Sequence, residues 1–197
     1  MQNVLISGAS RTPMGGFQGD FNDVSAAQLG GSAIRAAMQG AGVSTVDELV
    51  MGNVLPAGQG QAPARQAGFA AGLGEEVPAT TVNKMCGSGM KTTMIGFDQI
   101  ALGGSDIMAV GGMESMSNAP YILPKMRGGA RIGHDRVTDH MFLDGLEDAY
   151  EPGRLMGSFA EDCAEKYQFT RQAQDEFALA SLSNALKAQE TGAFDAE

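Results

Sequence analysis

The spacing of apolar positions divides the chain into two parts. From Val4 to Gly111, short runs rich in apolar residues alternate with stretches in which apolar residues recur every three to four positions. The runs Val4–Ala9, Val46–Val54, Ala79–Val82 and Asp106–Gly111 read as strands. Val4–Ala9 is continuously apolar rather than alternating, which is what a strand covered on both faces requires. Ala26-Ala27, Leu29, Ala33-Ile34 and Ala37-Met38 predict a helix between the first two runs, capped by Asp23 or Ser25 and ended by Gly40 and Gly42. Pro63 suits the first turn of a second helix reaching Ala71, and Met90, Met94, Phe97 and Ile100-Ala101 predict a third that stops at Gly103-Gly104. Strands and helices in this alternation imply an α/β layered fold, with a mostly parallel sheet flanked by helices.

Beyond Ser117 the period is lost. Residues 118–155 hold Pro120, Pro124, Gly128-Gly129 and Pro152-Gly153, and a long irregular segment of this kind is functional or disordered. It also gathers Lys125, Arg127, Arg131 and Arg136. Two helices are expected after it. Ser158 caps the first, with Phe159, Cys163 and Tyr167 on one face, and Thr170 caps the second, with Ala173, Phe177, Leu182 and Leu186. Cys163, in the middle of its helix, reads as core.

The candidate chemistry lies where the third run meets the third helix. Cys86 falls in that strand-to-helix turn, between Lys84-Met85 and Gly87-Ser88-Gly89. A lone Cys between apolar elements is ordinarily a small core residue. Here the two glycines permit a sharp bend and leave room for a ligand beside the sulfur, which a core Cys does not need. A helix N-terminus favours the thiolate, through its dipole and its unpaired N–H groups. The arrangement has the logic of a nucleophile elbow with sulfur in place of oxygen. The two histidines, His134 and His140, sit in the irregular segment and read as surface or structural residues, not as a general base.

Composition narrows the setting. Thirteen Lys and Arg against 23 Asp and Glu give a net charge of −10, which argues against nucleic acid as a partner. No apolar run approaches the roughly 20 residues of a membrane span. Met1-Gln2-Asn3-Val4 lacks a basic leader region, so no signal peptide is expected. Two cysteines make neither a disulfide framework nor a metal spacing, and a reducing, cytoplasmic location is the default.

Asn83-Lys84-Met85-Cys86-Gly87-Ser88-Gly89-Met90-Lys91 resembles the acyl-enzyme segment of thiolases, the acetyl-CoA acetyltransferase and 3-ketoacyl-CoA thiolase family. Arg11-Thr12-Pro13-Met14-Gly15, Gly111-Gly112-Met113-Glu114-Ser115-Met116-Ser117, and Met156-Gly157 with Ala160-Glu161 agree with it in order and spacing. Thr93 departs from the family's usual aliphatic residue; it is expected to face the helix interior or the sheet and to adjust packing only. The resemblance runs from end to end. It implies a core domain over 1–117 that carries the elbow, and part of an inserted loop domain over 118–197. It also implies acyl transfer through Cys86, with acetyl-CoA or another acyl-CoA as substrate and no tightly bound cofactor. The backbone N–H of Cys86 is the implied oxyanion donor. Leu146 and Met156 are the implied wall near the acyl and pantetheine groups. Leu155 stands where some members have His, which makes that wall less polar. Arg131 and its basic neighbours fit either the nucleotide phosphates of coenzyme A or a subunit contact.

The family's Gly-His-Pro segment, its Asn-containing segment and its second Cys belong to a C-terminal core domain that this sequence does not contain. The resemblance therefore implies about half an enzyme, inactive alone. The other half would be a cleaved piece that stays bound, a second chain, or a part removed by truncation, and the first two are favoured because one half would expose a large apolar face. A homo-oligomer, dimer or homotetramer, is expected. The nearest rival is a 3-ketoacyl synthase, which uses an elbow Cys with two His to decarboxylate a malonyl thioester. A non-catalytic acyl-CoA-binding or scaffolding subunit is the alternative from another class.

Overall fold

A computed structural model describes residues 3–195 and 197. Met1 and Gln2, which open the stretch read as lacking a leader, and Ala196, in the last stretch of the chain, lie outside the described residues. Two compact units are present, 1–145 and 146–197.

In the first unit, helix α1 spans Ala26–Ala41. Ser25 is its cap, not Asp23: Ser25 Oγ accepts from the Gln28 N–H, and Gln28 Oε1 accepts from the Ser25 N–H, a reciprocal box that satisfies two otherwise orphaned donors. Gly42, at φ 70°, closes the helix, while Gly40 remains inside it. Strand β1 (Glu48–Gly52), helix α2 (Pro63–Ala71), strand β2 (Ala79–Val82), helix α3 (Ser88–Ala101) and strand β3 (Met108–Gly112) follow. The three strands form a parallel sheet in the order β2-β1-β3, with Val50 opposite both Thr80 and Val110. As the unbroken apolar run requires, Leu49, Val50 and Met51 on the central strand are almost fully buried. Leu49 and Met51 join Ile34, Met38, Ala64, Ala67 and Met113 in one core with α1 and α2. Helix α3 packs on β1 and β3 through small residues. A Cβ added at Gly52 would stand 2.3 Å from Ser88 Cβ, and one at Gly96 2.8 Å from Val110 Cγ1, so glycine sets how closely helix and sheet approach.

The expected strand Val4–Ala9 is corrected: the segment forms no strand, and Leu5 and Ile6 are each 84% exposed. A slot of about 420 Å³ separates it from β3, lined also by Ala37, Met38 and Phe97. Without a backbone neighbour the run has no ladder to join, whatever its apolarity. Thr93 is exposed rather than turned inward, and its hydroxyl donates to Gly89 O at 3.0 Å.

The irregular segment holds a short antiparallel ribbon, β4 (Tyr121–Ile122) with β5 (Thr138–Asp139). Residues 118–145 pack with the first unit. The second unit carries α4 (Met156–Lys166) and α5 (Arg171–Glu190). Thr170 caps α5 as expected, accepting from the Ala173 N–H. Ser158 does not cap α4: Leu155 holds that position, and Ser158 Oγ donates to its carbonyl at 2.7 Å. Neither helix has a buried residue, so Cys163 is exposed and not core. The cause is that α4 and α5 alone are too little structure to close a core over an apolar face. Among the described residues no helix is long and apolar enough to cross a membrane.

Candidate active site at the strand-to-helix turn

Strand β2 ends at Val82 and α3 begins at Ser88, so five residues reverse the direction of the chain. The Gly87 N–H donates to Lys84 O at 2.7 Å and closes the turn. Ser88, 7% exposed, locks it from the helix side: its Oγ lies 3.1 Å from both the Lys84 N–H, which donates to it, and the Lys84 carbonyl, which accepts. Within this closed turn Cys86 is held at φ 56°, a left-handed conformation that side chains rarely adopt. Such a residue persists where its surroundings over-determine it, and such residues concentrate at working sites. The thiol is exposed and outside any disulfide. The N-cap of α3 is Gly87, directly after Cys86, and no side chain caps that end, so the leading N–H groups of the helix are not taken up by a capping side chain. The turn can therefore present a nucleophile and receive a negatively charged oxygen.

The base of the turn is fastened to the sheet. Thr92, fully buried, sets its hydroxyl 2.8 Å from Gly89 O and 2.9 Å from Gly111 O, tying α3 to β3. Beyond β1, the Asn53 N–H donates to Val82 O at 2.9 Å. Asn53 Nδ2 donates to Met113 O at 3.2 Å and to Glu114 Oε1 at 2.7 Å. The Glu114 carboxylate also accepts from the N–H groups of Val54 (2.8 Å) and Leu55 (3.0 Å). Ser117 of the same motif and Asn118 after it fasten the preceding loop: Ser117 Oγ accepts from the Gln18 N–H at 2.8 Å, and Asn118 Nδ2 donates to Asn22 O and Val24 O.

This network escaped the sequence reading, because its partners lie about 60 residues apart. Asn53 near the end of an apolar run and Glu114 within the Gly111–Ser117 motif were its available signals. His140 likewise proves more constrained than its setting suggested. It is 5% exposed, with Nδ1 2.5 Å from Asp144 Oδ2 and Nε2 facing the Ala57 N–H at 3.4 Å, which is a structural clamp. His134 is exposed.

Of the other candidates, Arg131 lies exposed in the first unit. Leu146, Leu155 and Met156 belong to the second, where an antiparallel bridge between Glu147 and Leu155 draws them to one end. Leu155 is 39% and Met156 43% exposed. Among the described residues no group of three His, Cys, Asp or Glu side chains is arranged to hold a metal.

Residues 4–197 match the family model described as "Thiolase, N-terminal domain". The chain is 51% identical over 195 residues to Acetyl-CoA acetyltransferase 2 of Arabidopsis thaliana, an alignment covering 98% of this chain and 48% of that protein. It is 48% identical to Acetyl-CoA acetyltransferase of Schizosaccharomyces pombe, over 98% of this chain and 49% of that one. With Acetyl-CoA acetyltransferase of Cupriavidus necator the identity is 47%, over 100% of this chain and 50% of that one. The chain thus spans about half the length of the curated relatives it matches.

Proposed function

The chain belongs to the thiolase N-terminal-domain family, and from that premise we propose that it carries the nucleophile of a coenzyme A-dependent acyl transfer, with Cys86 as the attacking thiolate. The thiolate adds to the carbonyl carbon of acetyl-CoA. An S–C bond to Cys86 forms as the bond to coenzyme A breaks, and coenzyme A leaves as a thiolate that takes up a proton. A second acetyl-CoA then loses its α-proton to a base, and its carbanion attacks the acyl group. The new C–C bond releases Cys86 as thiolate and yields acetoacetyl-CoA, and the reverse order is thiolysis.

The observation that carries this reading is the exposed thiol at φ 56° beside an uncapped helix N-terminus. The Cys86 N–H and the first N–H groups of α3 are the donors we assign to the oxyanion. The relatives' names supply the donor, acetyl-CoA. We assign the base for the α-proton to the half of the relatives' length that this chain does not span. That half is also the partner we propose, within a homo-oligomer. Met90, Met94 and Phe97 support a partner: all lie on α3 and all are at least half exposed. We assign Leu146, Leu155 and Met156 to the acyl and pantetheine wall, and Arg131 to the phosphates of coenzyme A. A cytoplasmic setting suits two free cysteines.

Incubation with acetyl-CoA, followed by peptide mass spectrometry, tests the core of the proposal. We expect one acetyl group on the Cys86 peptide and none in Cys86→Ala. Acetylation absent from Cys86 while the chain remains folded would sink it.

A further inference from the structure

We propose that Glu114 is the positioning residue of the Cys86 turn, acting on it through the ends of β1 and β2; the inference rests on the reading of Cys86 as nucleophile. Three donors converge on this one carboxylate. Oε1 receives Asn53 Nδ2 and the Leu55 N–H, and Oε2 receives the Val54 N–H. An ionised carboxylate accepts all three without having to donate, and charge assistance makes each bond stronger than a neutral one. An amide in its place would turn an NH₂ group toward at least one N–H.

The segment that Glu114 holds supports both flanks of the turn. Ahead of Cys86, the Asn53 N–H donates to Val82 O at the end of β2, and Asn83 Nδ2 approaches Val54 O at 3.4 Å. Behind Cys86, Gly52 lies so close to Ser88 that a Cβ there would meet it at 2.3 Å, and Ser88 is the residue that locks Lys84. Asn53 itself is 1% exposed, with its Nδ2 committed to Met113 O and Glu114, and its Oδ1 buried without a partner. Glu114 therefore fixes which way that amide faces. A φ of 56° at Cys86 needs both flanks fixed, and releasing either lets the turn relax away from the geometry that presents the thiol.

The test uses the 197-residue chain as wild type, E114A and E114Q. Iodoacetamide alkylation is followed by mass spectrometry at Cys86 and Cys163 in the same molecules. Cys163 is exposed in the other unit and serves as the internal reference. Wild-type Cys86 is expected to react faster than Cys163. E114A is expected to lower the Cys86 to Cys163 ratio about tenfold, with E114Q intermediate because one accepting oxygen remains. A merely structural role would lower the melting temperature and leave the ratio in the folded chain unchanged. An unchanged ratio in E114A overturns the proposal; where E114A does not fold, an unchanged ratio in E114Q does the same. A wild-type Cys86 no faster than Cys163 overturns instead the nucleophile reading on which the proposal stands.

Discussion

Cys86 is the one residue whose backbone, exposure and chemistry all depart from what a core cysteine needs. Its side chain type and its flanking glycines are visible in the sequence, but its left-handed φ is not, because nothing in Met85-Cys86-Gly87 requires the bend to fall on the cysteine rather than on the glycine after it. Gly87 instead sits at φ −127°. The strain can be measured apart from the thiol. Cys86→Ala keeps a Cβ at φ 56° and Cys86→Gly removes it, so the glycine variant should be more stable by about 1 kcal/mol in urea unfolding. Equal stabilities would mean that the turn relaxes and stores nothing. The contrast with Cys163 shows the limit of reading residue by residue. The two cysteines differ by their element and its surroundings, and burial at mid-helix fails for Cys163 because α4, with no buried residue, has no core to face within its own unit.

At the scale of elements, periodicity located α1, α2, α3 and all three strands of the parallel sheet, although the apolar face is the covered one only in α1, α2 and β1: α3 packs through Ser88, Thr92 and Gly96 and leaves Met90, Met94 and Phe97 exposed. It failed for Val4–Ala9, whose apolarity is that of a strand but whose ladder depends on a neighbour. The ends of the elements are held by contacts distant in sequence. Asp47, before β1, accepts from the N–H groups of Ile107 and Asp106 with one carboxylate oxygen, at 2.9 and 2.8 Å, and so pins the entry of β3. These bonds hold its carboxyl below the usual aspartate value, the Ile107 N–H contributing most. A group whose folded pKa is depressed stabilises fully above its unfolded value of about 4, and that contribution disappears as pH falls through the folded value. Unfolding midpoints of wild type and Asp47→Asn should therefore differ most above the unfolded value and converge as the solution is acidified below it, through the depressed folded value. A gap that stays constant across the titration would show that the charge is not what matters.

For the molecule as a whole, the deciding fact is that the chain spans about half of each of the relatives compared. If the base for the α-proton lies in the other half, acetyl transfer to Cys86 and turnover separate. The chain alone should release at most one coenzyme A per Cys86. Sustained release should appear only when a polypeptide covering the other half of a relative's length is added, as followed with a thiol reagent. Sustained turnover by the rigorously purified chain alone would overturn this division of labour. The net charge of −10 makes the proposed substrate more demanding: coenzyme A is itself anionic, and the proposal has its phosphates held by a local cation, Arg131.

What the sequence determined by itself was everything carried by neighbours a few residues apart. That includes the existence of α1 to α5 and of the three sheet strands, the cap at Thr170, the placement of Cys86 at a strand-to-helix turn, and the family to which the motifs belong. Tertiary structure decided the rest: the left-handed φ of Cys86, the fit of Gly52 against Ser88, the carboxylate of Glu114 at the centre of three N–H groups, the burial of His140 and the exposure of Cys163. The physical reason is the range of the forces involved. Side-chain periodicity and capping act within a turn or two of chain, while burial and a hydrogen bond's partner depend on which distant segment the fold brings alongside.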